Sequence, residues 1–104
     1  MAGVNVVAKR LKQARLRQGI SQRQLGIRAG MDQSSASARV NQYERGRHVP
    51  DLGTAARLCH ILDVPTPYLY AQDDALAAWI LVFDRISPAL RHSVVRKARE
   101  PQAP

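Results

Sequence analysis

Three histidines, one cysteine and a pair of adjacent aspartates are the residues of this 104-residue chain whose types suit catalysis or metal binding. Their spacing argues against both. His48, His60 and His92 are scattered, and no two share ligand spacing with a Cys, Asp or Glu on one helix face. His60 reads as structural, and His48, beside Arg45 and Arg47, as a surface residue or phosphate neighbour. Cys59 follows Leu58 on an apolar stripe, where cysteine is a small core residue rather than a nucleophile. Asp73-Asp74 reads as a helix start, not a carboxylate dyad. The P-loop, GxGxxG, HExxH and GxSxG patterns are all missing. These residues point away from an enzyme and assign neither metal nor cofactor.

Charge is the stronger signal. The net charge is +8, with a pI near 10.8. Residues 1–50 carry ten Lys/Arg against two Asp/Glu, whereas 51–104 carry six of each, so the whole excess lies in the first half. Thirteen of the sixteen basic residues are Arg, whose planar fork suits phosphate and guanine edges. That balance implies a polyanionic partner, usually nucleic acid; a solvated basic face is the alternative on charge alone. No apolar run spans a bilayer, and 4–8 is too short for a signal peptide. One cysteine excludes an internal disulfide and is compatible with a reducing, cytoplasmic setting.

The elements that position these charges read as helices throughout. Val7, Leu11 and Ala14 follow amphipathic spacing, and Gly19 ends that helix. Ser21 and Gln24 have the spacing of a capping box for a short second helix that Gly30 closes. A third helix is expected from near Asp32 or Ser34 to Gly46. Pro50 and Asp51 open a fourth, with Leu52, Ala55, Leu58, Cys59 and Leu62 toward the core. Thr66-Pro67 reads as an N-cap followed by proline at N1 of a short fifth helix. Asp73 or Asp74 caps a sixth that carries Leu76, Trp79, Ile80, Val82, Phe83 and Ile86. Ser87-Pro88 repeats the cap-plus-proline signal for a seventh, with a tail at Pro101 and Pro104.

Leu11, Ala14-Arg15, Gly19-Ile20-Ser21-Gln22, Leu25, Ala29-Gly30, Tyr43-Glu44-Arg45-Gly46, Pro50, Leu58 and Leu62-Asp63-Val64-Pro65 occur in an order that resembles the phage-repressor/Cro-type (XRE) helix-turn-helix family. The resemblance covers about residues 11–69. Together with the all-α helix pattern it implies a five-helix lambda-repressor-like DNA-binding domain over 1–71, and the helices read after it form a C-terminal two-helix extension over 72–104, outside the family's core. It further implies a sequence-specific regulator of double-stranded DNA, a repressor that inserts a recognition helix at about 34–45 into the major groove. By the same resemblance Arg15 and Glu44 form a structural ion pair. Measured back from Glu44, the base-reading positions fall on Ser37, Ala38, Arg39 and Gln42, while Gln22, Arg23, Arg45, Arg47 and His48 are phosphate candidates. The sequence departs from the family in two places. The interval 30–44 is about one helical turn longer, roughly four residues, so Gln33, Ser34 and Ser35 either extend the recognition helix toward DNA or lie in an enlarged turn. Gly26 also replaces a small alanine, which lowers helix propensity but permits close helix contact.

The sixth helix is apolar around its circumference, and such a helix is wholly buried or shared with another chain. Trp79, Ile80 and Phe83 are therefore candidates for a homodimer interface, which would suit a palindromic operator. The alternative is that the helix completes this domain's own core. An antitoxin whose C-terminal helices hold a toxin, or a protein-interaction adaptor with the same fold, are the other readings of the chain. Charge confined to 1–50 argues against the adaptor, and acidic residues flanking 79–83 argue against membrane attachment.

Overall fold

Capping chemistry sets the helix boundaries in the computed structural model, which describes residues 2–101; Pro104 lies outside them. Helix α1 spans Ala2–Gln18, α2 Gln22–Arg28, α3 Ala36–Glu44 and α4 Leu52–Leu62. A 3-10 turn at Thr66–Tyr70 leads to α5, Asp74–Val82, and a second at Phe83–Arg85 leads to α6, Pro88–Arg99. No strand occurs among the described residues. The Ser21 hydroxyl accepts the Gln24 backbone N–H at 3.0 Å while the Gln24 side-chain Oε1 accepts the Ser21 backbone N–H at 2.8 Å, a complete capping box. Asp51, Asp73 and Ser87 cap α4, α5 and α6 by accepting the N–H groups of Thr54, Leu76 and Leu90.

Left-handed residues end the first four helices. At the end of α3, Gly46 has φ +73°; its N–H donates to Tyr43 O at 3.1 Å and that of Arg47 to Gln42 O at 3.0 Å, which satisfies two terminal carbonyls. Helix α4 ends the same way on Asp63, at φ +55° the one non-glycine residue with positive φ among the described residues. Aspartate tolerates this conformation better than most side chains.

A single core forms where α1 to α4 and the first 3-10 turn converge, with Leu11, Leu25, Val40, Leu58, Leu62 and Leu69 fully enclosed. Helix α2 approaches α3 so closely that a Cβ on Gly26 would stand 2.7 Å from Ala36 Cβ and 2.9 Å from Ala36 O. No rotamer change relieves a clash with a backbone oxygen, so the departure from alanine at this position is a packing requirement.

Several local expectations need correction. Helix α3 starts at Ala36, not at 32 or 34: its N-cap is Ser35, whose carbonyl accepts the Arg39 N–H, and ahead of it Asp32 O closes a separate turn by accepting from Ser35 and Ala36. Ser34 and Ser35 also bond locally to Asp32, and such side-chain bonds compete with helical ones. Leu52, expected in the core, is 71% exposed, since the buried stripe of α4 begins at Thr54 and Ala55. The fifth helix is a 3-10 turn whose N-cap is Pro65 rather than Thr66: the Tyr68 N–H donates to Pro65 O, three residues back, at 3.0 Å. Ile86 falls outside α5, extended before the Ser87 cap of α6. His60 is exposed rather than packed.

Arg10 fastens the C-terminal helices to the core. Only 3% exposed, it donates from Nε to Ala71 O at 2.9 Å, and from Nη2 to Gln72 O at 3.3 Å and Asp74 Oδ1 at 3.0 Å. Its guanidinium also lies 5.7 Å from the Tyr68 ring centroid. Hydrogen bonds from Arg10 and then Lys9 hold the Asp74 carboxylate below its usual range. Beyond this anchor only Ala77 of α5 is buried, with Ile80 and Leu81 packed partly against the core. Helix α6 buries nothing. The radius of gyration, 16.3 Å, exceeds the ~13 Å of a compact chain this long because α6 projects.

Replacing Gly26 by alanine is expected to lower stability by about 1–3 kcal/mol, read as a lower urea midpoint at unchanged slope; an unchanged midpoint would mean that α2 and α3 separate without cost. Burial pushes the Cys59 thiol up to about 11 from its usual 9.0, against a hydrogen bond with Thr66 that lowers it. The stability that the protonated thiol contributes is complete below pH 9 and lost as pH rises through about 11. At pH 8 the folded protein should therefore resist disulfide-exchange reagents and react on unfolding. Labelling equally fast in both states would contradict this placement.

Candidate nucleic-acid interface

Glu44 is where three helices meet. Arg15 of α1 donates from Nε to Glu44 Oε2 at 2.6 Å and from Nη2 to Glu44 Oε1 at 2.9 Å, a bidentate pair with the side chains only 11% and 3% exposed. The remaining Arg15 nitrogen, Nη1, donates to Ile20 O at 3.0 Å in the turn before α2. Gln22, the first residue of α2, donates from Nε2 to Glu44 Oε1 and to Asn41 Oδ1, each at 3.2 Å. The hydrogen bond to Glu44 is the chief cause that raises Arg15 above its usual value, against the opposing effect of burial. A buried ion pair is stable only when its hydrogen bonds are completed, and here backbone and Gln22 complete them.

With α2 and α3 locked in this way, one face of α3 is inward and the other is open. Ala36, Val40 and Tyr43 are buried at the i, i+4, i+7 spacing. Ser37, Ala38 and Arg39 are exposed and Gln42 is half-buried on the outer side. The front of the helix thus carries a serine and an alanine, and its backbone can approach a partner surface closely. Arg39 reaches along the helix to the Tyr43 hydroxyl, at 3.4 Å. Gln33 and Ser34 are exposed in the turn that precedes α3, and Ser35 is its N-cap without a side-chain cap bond. The extended-helix arrangement is therefore not adopted, and the extra residues enlarge the turn.

Basic side chains flank this face. Arg45, Arg47 and His48 follow the C-terminus of α3 and Arg23 stands in the first turn of α2, all exposed. Arg39, Gln42, Tyr43, His48, Val49 and Asp51 border a shallow cavity of about 370 Å³ between α3 and the start of α4. The Asp51 carboxylate is held below its ordinary value chiefly by the Thr54 backbone N–H, then by the Thr54 side chain and the charges of Arg57 and Arg39. It fixes one negative charge at the edge of a positive surface. Trp79 and Phe83 are exposed and Ile80 is half-buried on α5 and its following turn. These three border a separate apolar trough with Pro65, Pro67 and Leu76.

Residues 7–69 match the helix-turn-helix domain family. The chain belongs to that family. Its helix-turn-helix consists of α2, the turn at Gly30 and α3. The crystal structure of the transcriptional regulator BswR is similar over 88% of this chain and 90% of that chain, with 47% identity and a TM-score of 0.77. No curated protein matches. The protein is a DNA-binding transcriptional regulator, and no helix among the described residues is long and apolar enough to cross a membrane.

Two residues hold contacts that the sequence did not assign, Asn41 within the helix-turn-helix and Arg10 at the start of α5. Asn41 is the second acceptor for Gln22, a role with no sequence signal. Arg10 did leave one, as a charged residue on the apolar stripe between Val7 and Ala14. Removing Glu44 as Glu44→Ala strands a guanidinium that is 11% exposed, and the expected loss of stability is about 3–5 kcal/mol. In a double-mutant cycle with Arg15→Ala, the double variant should lose much less than the sum of the single losses. Additive losses would mean that the pair contributes nothing as a pair.

Proposed function

We propose that the protein is a sequence-specific repressor that binds a palindromic operator as a homodimer and blocks it by occupancy. The observation that carries this reading is the outer face of α3, where small exposed residues lie between basic flanks. In the reading, Ser37 and Ala38 lie against base edges, with Ala38 on a thymine methyl. Gln42 pairs with adenine, and Arg39 with guanine or a phosphate. Arg23, Arg45, Arg47 and His48 hold phosphates, which sets position and carries no sequence information. Gln22 adds a phosphate contact through its backbone N–H in the N-terminal turn of α2, where the helix dipole favours an anion; its side-chain Nε2 is committed to Glu44 and Asn41. Trp79, Ile80 and Phe83 are assigned to pairing of subunits, which would set two α3 helices about 34–36 Å apart, one turn of DNA.

The experiment is quantitative binding to DNA selected from a random pool. Affinity should fall steeply with salt, with a log–log slope of about −0.9 per neutralised phosphate; affinity independent of salt would sink the reading. Gln42→Ala should lose roughly 1–3 kcal/mol on the selected site and relax preference at one base pair. Arg47→Ala should weaken selected and random DNA alike and make the salt slope shallower by about one phosphate. If both variants behave identically, the division between reading and positioning is wrong.

A further inference from the structure

Helix α6 packs into no core among the described residues. None of its residues is buried, and Leu90, Val94 and Val95 are 52%, 41% and 48% exposed. At 12 residues it is marginal as an isolated helix in water, where stable helices need about 12–15 residues and a packed apolar face. Its direction is nevertheless fixed. Arg91 Nε donates to Phe83 O at 3.0 Å, and the Arg91 guanidinium stacks 4.2 Å from the Phe83 ring centroid. The helix is a braced arm that leads away from the core with its apolar side uncovered.

The same chain carries an uncovered trough of matching character. Pro65, Pro67, Leu76, Trp79, Ile80 and Phe83 border an almost wholly apolar cavity of about 460 Å³ between the first 3-10 turn and α5. It runs on past Leu76 toward Leu52 and Tyr70, which accounts for a leucine 71% exposed at the start of α4. Charge distinguishes the two surfaces. Asp84 stands at the rim, and Asp63 shares a smaller cleft with it; neither is in an ion pair among the described residues. Helix α6 carries Arg91, Arg96, Lys97 and Arg99 and no acid. Two α6 helices laid side by side would bring like charges together, as would two troughs, whereas α6 on a trough pairs opposite charges.

We infer that α6 of one copy lies in the trough of a second copy and receives the second copy's α6 in return, so that the dimer holds two equivalent helix-in-trough contacts. This rests on the homodimer proposed above and specifies its geometry. Leu90 and Val94, one turn apart, face Trp79 and Phe83 of the other copy, and Arg96, Lys97 and Arg99 approach Asp63 and Asp84. The exchange is isologous as a whole, since each copy gives what it receives.

Light scattering of the full-length chain and two variants tests this. Trp79→Glu blocks the trough and Val94→Glu blocks the arm; the two side chains are 55% and 41% exposed, and helical circular dichroism checks that each variant folds. The wild type is expected at twice its 11.5 kDa and each variant alone at the monomer mass. An equimolar mixture should recover a heterodimer, because one intact trough then meets one intact arm. A monomeric wild type would overturn the homodimer and this inference together. A dimeric wild type in which either variant alone stays dimeric, or in which both variants lose the dimer and fail to recover it on mixing, would overturn the exchange alone. Only Trp79→Glu would lose the dimer if α5 pairs with α5, only Val94→Glu if α6 pairs with α6, and neither if the trough is kept for a different protein.

Discussion

The Glu44 carboxylate is the point through which the helix-turn-helix holds its shape. It accepts from Arg15 twice and from Gln22 once, so α1, the start of α2 and the end of α3 are fixed by one group. Desolvation makes such a pair expensive, and a hydrophobic contact of similar size could hold the helices as firmly. What ionic geometry adds is direction. A bidentate arginine specifies the angle and the register at which α3 leaves the core, and that angle decides which residues of α3 stand outward. The contact of Gly26 with Ala36 acts at the opposite end of α3, where it sets distance. Orientation at one end and spacing at the other define the placement of the exposed face.

The C-terminal helices obey a different constraint. Arg10 commits its hydrogen bonds to Ala71, Gln72 and Asp74, and so fastens the beginning of α5 to α1. Past that point the chain has too little apolar surface in contact with itself to hold α6 by packing. Local devices replace packing there: the Ser87 cap, Pro88 at the first helical position, and Arg91 on Phe83. These fix where α6 points without covering it. An ordered helix with an uncovered apolar side has its ordering entropy already spent, and association then requires less of it.

Features set by neighbouring residues were legible in the sequence. The Ser21–Gln24 box, the Gly30 and Gly46 stops and the Ser87-Pro88 start each depend on groups within a few positions. The all-α class and the helix-turn-helix followed from that punctuation and the family's ordered residues. The start of α3 was less legible, because Asp32, Ser34 and Ser35 can serve either a helix or a turn, and the balance lies in hydrogen bonds of comparable strength. Leu52 fits an apolar stripe by spacing, yet it occupies the first position of α4, ahead of the residues that meet the core. Arg10 stands out as a charge on the apolar stripe of α1, but its partner was illegible, because its carbonyl acceptor lies 61 residues away. The open face of α3 could be placed only after the start of the helix and its inward residues were known.

Charge links the two halves of the chain. The excess of +8 lies within residues 1–50, while 51–104 are balanced. Two copies brought together through their first halves would repel one another at low and moderate ionic strength. Brought together through their second halves they would not, and the separation of the Asp63 and Asp84 rim from basic α6 would make the approach attractive in one relative orientation. The basic halves then stand apart, on the outside of the pair, where a polyanion lowers the repulsion that remains. Charge segregation along the chain thus gives one molecule a charge-balanced half and a positive half suited to DNA, with Arg10 as the joint between them.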